Sequence, residues 1–121
     1  MSESKIPGVN MDAGLDLYYG EMDIYISVFE SFAVNTLATL DKMRNVAEDN
    51  LADYAINVHG IKSVSATIAA EDISARAKKL EMMAKAGDLA GVLAENSELI
   101  RDTEILVNDV KSWLETEPRQ D

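Results

Sequence analysis

Apolar positions recur along this chain at steps of three and four residues, the spacing of one helix face, and no stretch alternates with period two. The cleanest run is Leu51, Tyr54, Val58, Ile61, Ser65 and Ile68, which predicts a helix over about 51–68. Before it, Met22, Tyr25, Phe29, Phe32, Thr36, Leu40, Met43 and Ala47 predict a helix from about 21 to about 46. Residues 47–50 read as a break, with Asp49 or Asn50 capping the next helix. Ile73, Ala77, Leu80 and Met83 or Ala84 mark a further helix that stops at Gly87, and Asp88 is placed to cap the last one. That helix runs over about 89–116, with Leu89, Val92 or Leu93, Asn96, Leu99 or Ile100, Thr103, Leu106 or Val107, Val110 and Trp113 or Leu114 on its seam and Pro118 closing it. Asn96 and Thr103 are polar positions on an apolar seam, so each requires a partner or an exposed edge. Ahead of the four long helices, MDAGLDLYY reads as a short helix capped at Asn10 or Asp12 and stopped at Gly20. It is too short to stand alone, so Val9, Leu15 and Tyr18 or Tyr19 must dock on the rest. Residues 1–8 read as a loose, flexible tail.

The connections near 47–50, 69–71 and 87–88 are too short for crossovers. The expected fold is therefore all-α: an antiparallel up-down-up-down four-helix bundle with a short extra N-terminal helix, one domain over residues 1–121.

Composition narrows the function classes. The chain has no cysteine, which removes disulfides, thiol nucleophiles and thiolate metal sites and fits a reducing compartment. A single histidine cannot build an imidazole metal cluster. No apolar run approaches the roughly 20 residues of a membrane span, and the N-terminus lacks the apolar core of a signal peptide, so a cytoplasmic domain is expected. The net charge of −11 makes nucleic acid and anionic membranes poor partners. Met43, Met82 and Met83 read as core filler.

One window stands apart. Tyr54 to Ala70 contains no carboxylate, although the chain has 22 Asp and Glu in 121 residues and such a window would hold about three. It contains the only histidine, His59. At about 100° per residue His59 lies about 120° from the centre of its helix seam, on the flank, among Ala52, Ala55, Ile56, Lys62, Ser63 and Ala66. A neutral imidazole offers one nitrogen lone pair that can attack phosphorus. Lys62, at i+3, can reach a phosphoryl oxygen as a point charge. Ser63, at i+4, leaves the ring open and can donate a hydrogen bond. The absence of neighbouring carboxylates spares an incoming phosphoryl group repulsion. Gly60 is a weak helical position, read equally as an indifferent surface residue or as clearance for a partner.

These residues resemble the histidine-containing phosphotransfer (HPt) domains of multistep two-component relays. The family pattern, His-x-Leu/Ile-Lys-Gly/Ser followed by small residues and later Leu-Glu, stands here as His59-Gly60-Ile61-Lys62-Ser63, then Ala69-Ala70 and Leu80-Glu81. Ile6-Pro7-Gly8-Val9, Gly14-Leu15, Tyr19-Gly20, Tyr25 and Phe32 resemble its N-terminal part, so the likeness spans about residues 6–110. Ser63 stands where Gly is usual and Ala69 where Gly is frequent. Some members place a Gln near the phosphate from the neighbouring helix; none lies between 71 and 87. The resemblance implies a phosphorelay intermediate: His59 takes a phosphoryl group from the aspartyl phosphate of a response-regulator receiver domain, through its outer ring nitrogen, and passes it to another. It implies no cofactor on this chain, with Mg²⁺ on the receiver, no kinase or phosphatase activity, and a monomer whose partners are receivers, a hybrid sensor histidine kinase among the candidates. The alternative is a non-catalytic interaction module, a degenerate HPt that binds a receiver without phosphotransfer; a buried or blocked ring would favour it.

Overall fold

The computed structural model describes residues 5–116. It holds five α-helices: α1 (Met11–Leu17), α2 (Met22–Lys42), α3 (Leu51–Thr67), α4 (Glu71–Lys85) and α5 (Leu89–Thr116), with a 3₁₀ turn at Glu48–Asn50 before α3. The four long helices pack antiparallel in a ring, α2 on α3 and α5, and α4 on α3 and α5, with the closest packing between α3 and α4. Ala55 and Ser65 of α3 and Ala77 and Ala84 of α4 are buried, and such small side chains let helix backbones approach. Pro118 and residues 1–4 of the expected tail lie outside the described residues.

The apolar seams are the core. Tyr25, Phe29, Phe32, Leu40, Met43, Val58, Ile61, Leu80, Val92, Val107, Val110 and Trp113 are buried together. Asn96 and Thr103 find the partners their burial demands. Tyr54 donates to Asn96 Oδ1 at 2.8 Å, Asn96 Nδ2 donates to the Met43 carbonyl at 2.8 Å, and the Thr103 hydroxyl donates to the Leu99 carbonyl at 2.7 Å.

That Asn96 bond also shows why α2 stops at Lys42 and not near Val46: it takes up the carbonyl of Met43, the C-cap residue, from outside the helix. Asn50 precedes α3, but its side chain does not cap it. It accepts from Ala47 N at 2.7 Å and donates to the Asn45 carbonyl at 3.0 Å, holding the connector instead. Asp88 caps α5 as expected, accepting from Gly91 N at 2.9 Å. Met22 and Ala47, at the two ends of the predicted α2 seam, are exposed, and so is Met82.

The N-terminal segment ties down the C-terminal end of α3. Asn10 caps α1, accepting from Ala13 N. Three successive carbonyls that α3 cannot satisfy internally take donors from this segment. Thr67 accepts from Tyr18 Oη at 2.6 Å, Ile68 from Tyr25 Oη at 2.9 Å at the start of α2, and Ala69 from Asn10 N at 3.0 Å. Ile6, inside the stretch expected to be loose, is 2 % exposed and packs in the core. Ala69 has φ +62°, and Ala69 N and Ala70 N donate back to the Ala66 and Ser65 carbonyls. This is the left-handed stop in which glycine is commonest, here with alanine.

Gly14 is where α1 meets the bundle. A Cβ there would stand 1.9 Å from Tyr25 Oη and 2.3 Å from its Cζ. The Tyr25 ring is boxed in by Tyr18 and Phe29, with centroids at 5.7 and 4.4 Å, so it cannot turn aside. Gly14→Ala is therefore expected to lower stability by about 2 kcal/mol, overpacking outweighing the better helix propensity of alanine. Thermal unfolding measures it, and an unchanged melting temperature would mean that α1 does not dock this way.

Candidate functional site

α3 and α4 bring one cluster together at the surface. His59 stands on the α3 flank with its side chain 54 % exposed. Lys62, one turn on, is partly covered, and Ser63 is exposed, its hydroxyl without an intramolecular partner among the described residues. Thus the three residues singled out from the sequence share one face of α3.

The carboxylate-free neighbourhood expected from the sequence does not exist in three dimensions. α4 supplies Glu81, whose side chain is only 6 % exposed. Its Oε2 lies 2.9 Å from His59 Nδ1 and 2.9 Å from Lys85 Nζ, and its Oε1 lies 2.9 Å from Lys62 Nζ. A window free of acids along one helix says nothing of what the neighbouring helix presents. Lys62 does not wait free for an anion; it is paired with Glu81.

Glu81 is held ionised. The Lys85 ammonium, then Lys62 and His59, lower its pKa to about 2, against the opposing effect of burial. An ionised carboxylate can only accept hydrogen bonds. The 2.9 Å contact therefore requires a proton on His59 Nδ1, and the neutral ring carries its lone pair on Nε2. One buried acid thus selects the tautomer and sets the orientation of the ring.

Neighbouring side chains are small. Ala52, Ala55 and Ile56 form an open apolar groove beside His59, Glu81 and Lys85. A Cβ on Gly60 would meet nothing within 4 Å, so the rest of the chain does not require a glycine there. Ser74 Oγ donates to the Lys62 carbonyl at 2.9 Å, adding a second α4–α3 tie at the site.

Glu81 enters the sequence reading only as part of the Leu80-Glu81 step, with no role at the site, and Lys85 does not enter it, although both are within its reach. Glu81 falls four residues after the core position Ala77, which places it on the flank of the α4 seam, and Lys85 stands at i+4 from it, the favourable order for a helical ion pair. Among the described residues no group of three or more His, Cys, Asp or Glu is arranged to hold a metal ion, and no helix is long and apolar enough to cross a membrane. Comparisons with protein-family models, with curated proteins and with solved structures found no match.

Proposed function

We propose that this chain is a phosphorelay carrier in which His59 accepts a phosphoryl group from the aspartyl phosphate of a receiver domain and hands it to another. The observation that carries the reading is the arrangement of the ring: Nδ1 is bound to a buried, ionised carboxylate at 2.9 Å while the side chain is 54 % exposed. An inward-facing ring would favour a non-catalytic binding module; this side chain faces outward.

In the proposed step the Nε2 lone pair forms an N–P bond as the P–O bond to the receiver aspartate breaks in line, and the aspartate leaves as a carboxylate. The imidazole ring gains positive charge in this step. Its Nδ1–H already points at Glu81, whose negative charge stabilises the charge that develops. Lys62 and Lys85 sit on the same carboxylate and can turn an ammonium to the phosphoryl oxygens. Ser63 is small and leaves the approach open. Mg²⁺ and most of the stabilisation of the phosphoryl group belong to the receiver. Onward transfer is the same step reversed, with the second aspartate attacking phosphorus and Nε2 leaving with its lone pair.

The test is transfer itself. A panel of isolated receiver domains charged with acetyl phosphate and Mg²⁺ is mixed with the purified protein. The expected product is an acid-labile, alkali-stable phosphate mapped to His59. A folded protein that gains no such phosphate, or gains it on a serine or threonine, contradicts the proposal.

A further inference from the structure

α2 has a second seam, on the side that faces away from the core. Ile24, Ser27, Ser31, Val34 and Ala38 recur at steps of three, four, three and four and fall within an arc of about 80°. All five are exposed, Ile24 at 50 % and Val34 at 77 %. The outward face of a surface helix ordinarily carries charge. Residues 24–40 hold one charged side chain, Glu30, where a stretch of 17 residues in this chain would hold about five. Glu30 stands on the flank, about 80° from the centre of the seam. The polar side chains of this face turn back on their own helix. Ser27 Oγ donates to the Asp23 carbonyl at 3.1 Å, and Asn35 Nδ2 donates to the Ser31 carbonyl at 3.0 Å and to Ser31 Oγ at 3.2 Å. Covering the face therefore leaves little unsatisfied.

The seam is complementary to itself. With two α2 helices antiparallel about a two-fold axis at Ser31, Ile24 faces the partner's Ala38 and Val34 faces the partner's Ser27, so each large side chain meets a small one. The ends match in charge. Glu21 and Asp23 are exposed at the N-terminal end of α2 and Lys42 at its C-terminal end, and none of the three has an ion-pair partner among the described residues. The same axis sets Lys42 beside the partner's Glu21, once at each end. Two chains of net −11 repel wherever their acids face outward, and the seam itself carries none of them.

We infer that this seam pairs two copies of the chain, α2 against antiparallel α2, in a two-fold dimer with Ser31 at the axis. The dimer takes the place of the monomer that the family resemblance implies. It stands apart from the phosphoacceptor reading: α2 lies across the ring of helices from α4, so pairing through it leaves the His59 flank open in both copies. One helix pair is a small interface, and the expected dissociation constant is about 10–100 μM.

Sedimentation equilibrium of the whole chain over a range of concentration reads the association. The expected result is a reversible monomer–dimer equilibrium. Ser31→Glu sets two carboxylates against each other at the axis and is expected to weaken the dimer about 100-fold. Asn108→Glu, the same charge change on the exposed face of α5, is expected to match the wild type. Lys42→Glu is expected to weaken the dimer about tenfold, and the double variant Glu21→Lys/Lys42→Glu to restore it. Because the chain has no cysteine, introduced thiols report the register without interference. With oxidised glutathione, a mixture of Ile24→Cys and Ala38→Cys is expected to cross-link as the mixed dimer in preference to either homodimer. A wild type that stays monomeric throughout would overturn the inference. So would an equal loss in Ser31→Glu and Asn108→Glu, which would assign the effect to net charge. Preferential cross-linking of Ile24→Cys to itself would also overturn it, since the helices would then run parallel.

Discussion

His59→Gln is expected to take up no phosphate from any charged receiver or from phosphoramidate while the bundle stays folded. The side chain is more than half exposed, and its polar contact is the one with Glu81. Glutamine is of similar reach and can donate its amide N–H to that carboxylate, so the expected change in stability is within about 1 kcal/mol. What it cannot supply is a ring nitrogen lone pair. Glu81→Gln makes the informative contrast, since it keeps the nucleophile and removes only the charge behind it. The neutral amide can accept from Nδ1–H, or turn and donate, which would shift the proton to Nε2 and hide the lone pair. It also does nothing to offset the positive charge that develops on the ring. Uptake is expected to fall about 10- to 100-fold, the range seen when the carboxylate partner of a metal-ligating histidine is lost. Radiolabel incorporation over time measures both variants. Uptake by Glu81→Gln at the wild-type rate would remove Glu81 from the mechanism.

The second large effect is on stability, and Glu81 sets its sign. Its folded-state pKa is about 2 against an ordinary value of 4.5, held down by Lys85, Lys62 and His59. A depressed carboxylate contributes stability that is fully present above about pH 4.5 and is lost as pH falls from there through about 2. A shift of this size corresponds to about 3 kcal/mol. Glu81→Gln is therefore expected to be less stable than wild type by about 2–3 kcal/mol near neutral pH. The two denaturation midpoints are expected to draw together as the pH drops below about 4.5. Urea titrations at a series of pH values test this. A gap between wild type and variant that does not change with pH would show that the lost stability comes from packing and not from the ionised carboxylate. The same acid thus holds α4 to α3 and holds the ring.

The helices are legible in the sequence because each buries one stripe, and a stripe leaves a period. Val58, Ile61, Leu80 and Val110 can be assigned inward from spacing alone, and Gly87 and Asp88 announce the α4–α5 turn. What periodicity cannot carry is contact between elements. It runs α2 on past its true end because a side chain from α5, Asn96, takes the carbonyl at the cap. Ile6 reads as tail because a lone apolar residue has no period, yet it is buried in the core. At the site, helical geometry puts His59 on a flank and sets Lys62 and Ser63 beside it at i+3 and i+4. It does not bring in Glu81, because 22 residues separate that acid from His59 and only the packing of α4 on α3 joins them. The orientation of the ring depends on that one contact between helices.

The most direct measurement is nuclear magnetic resonance of the single histidine, with nitrogen-15 in the ring and phosphorus-31 after labelling. The expected result is that the neutral form of the ring carries its proton on Nδ1 before reaction and that phosphorus is bonded to Nε2 afterwards. A neutral ring protonated on Nε2, or phosphorus on Nδ1, would contradict the account.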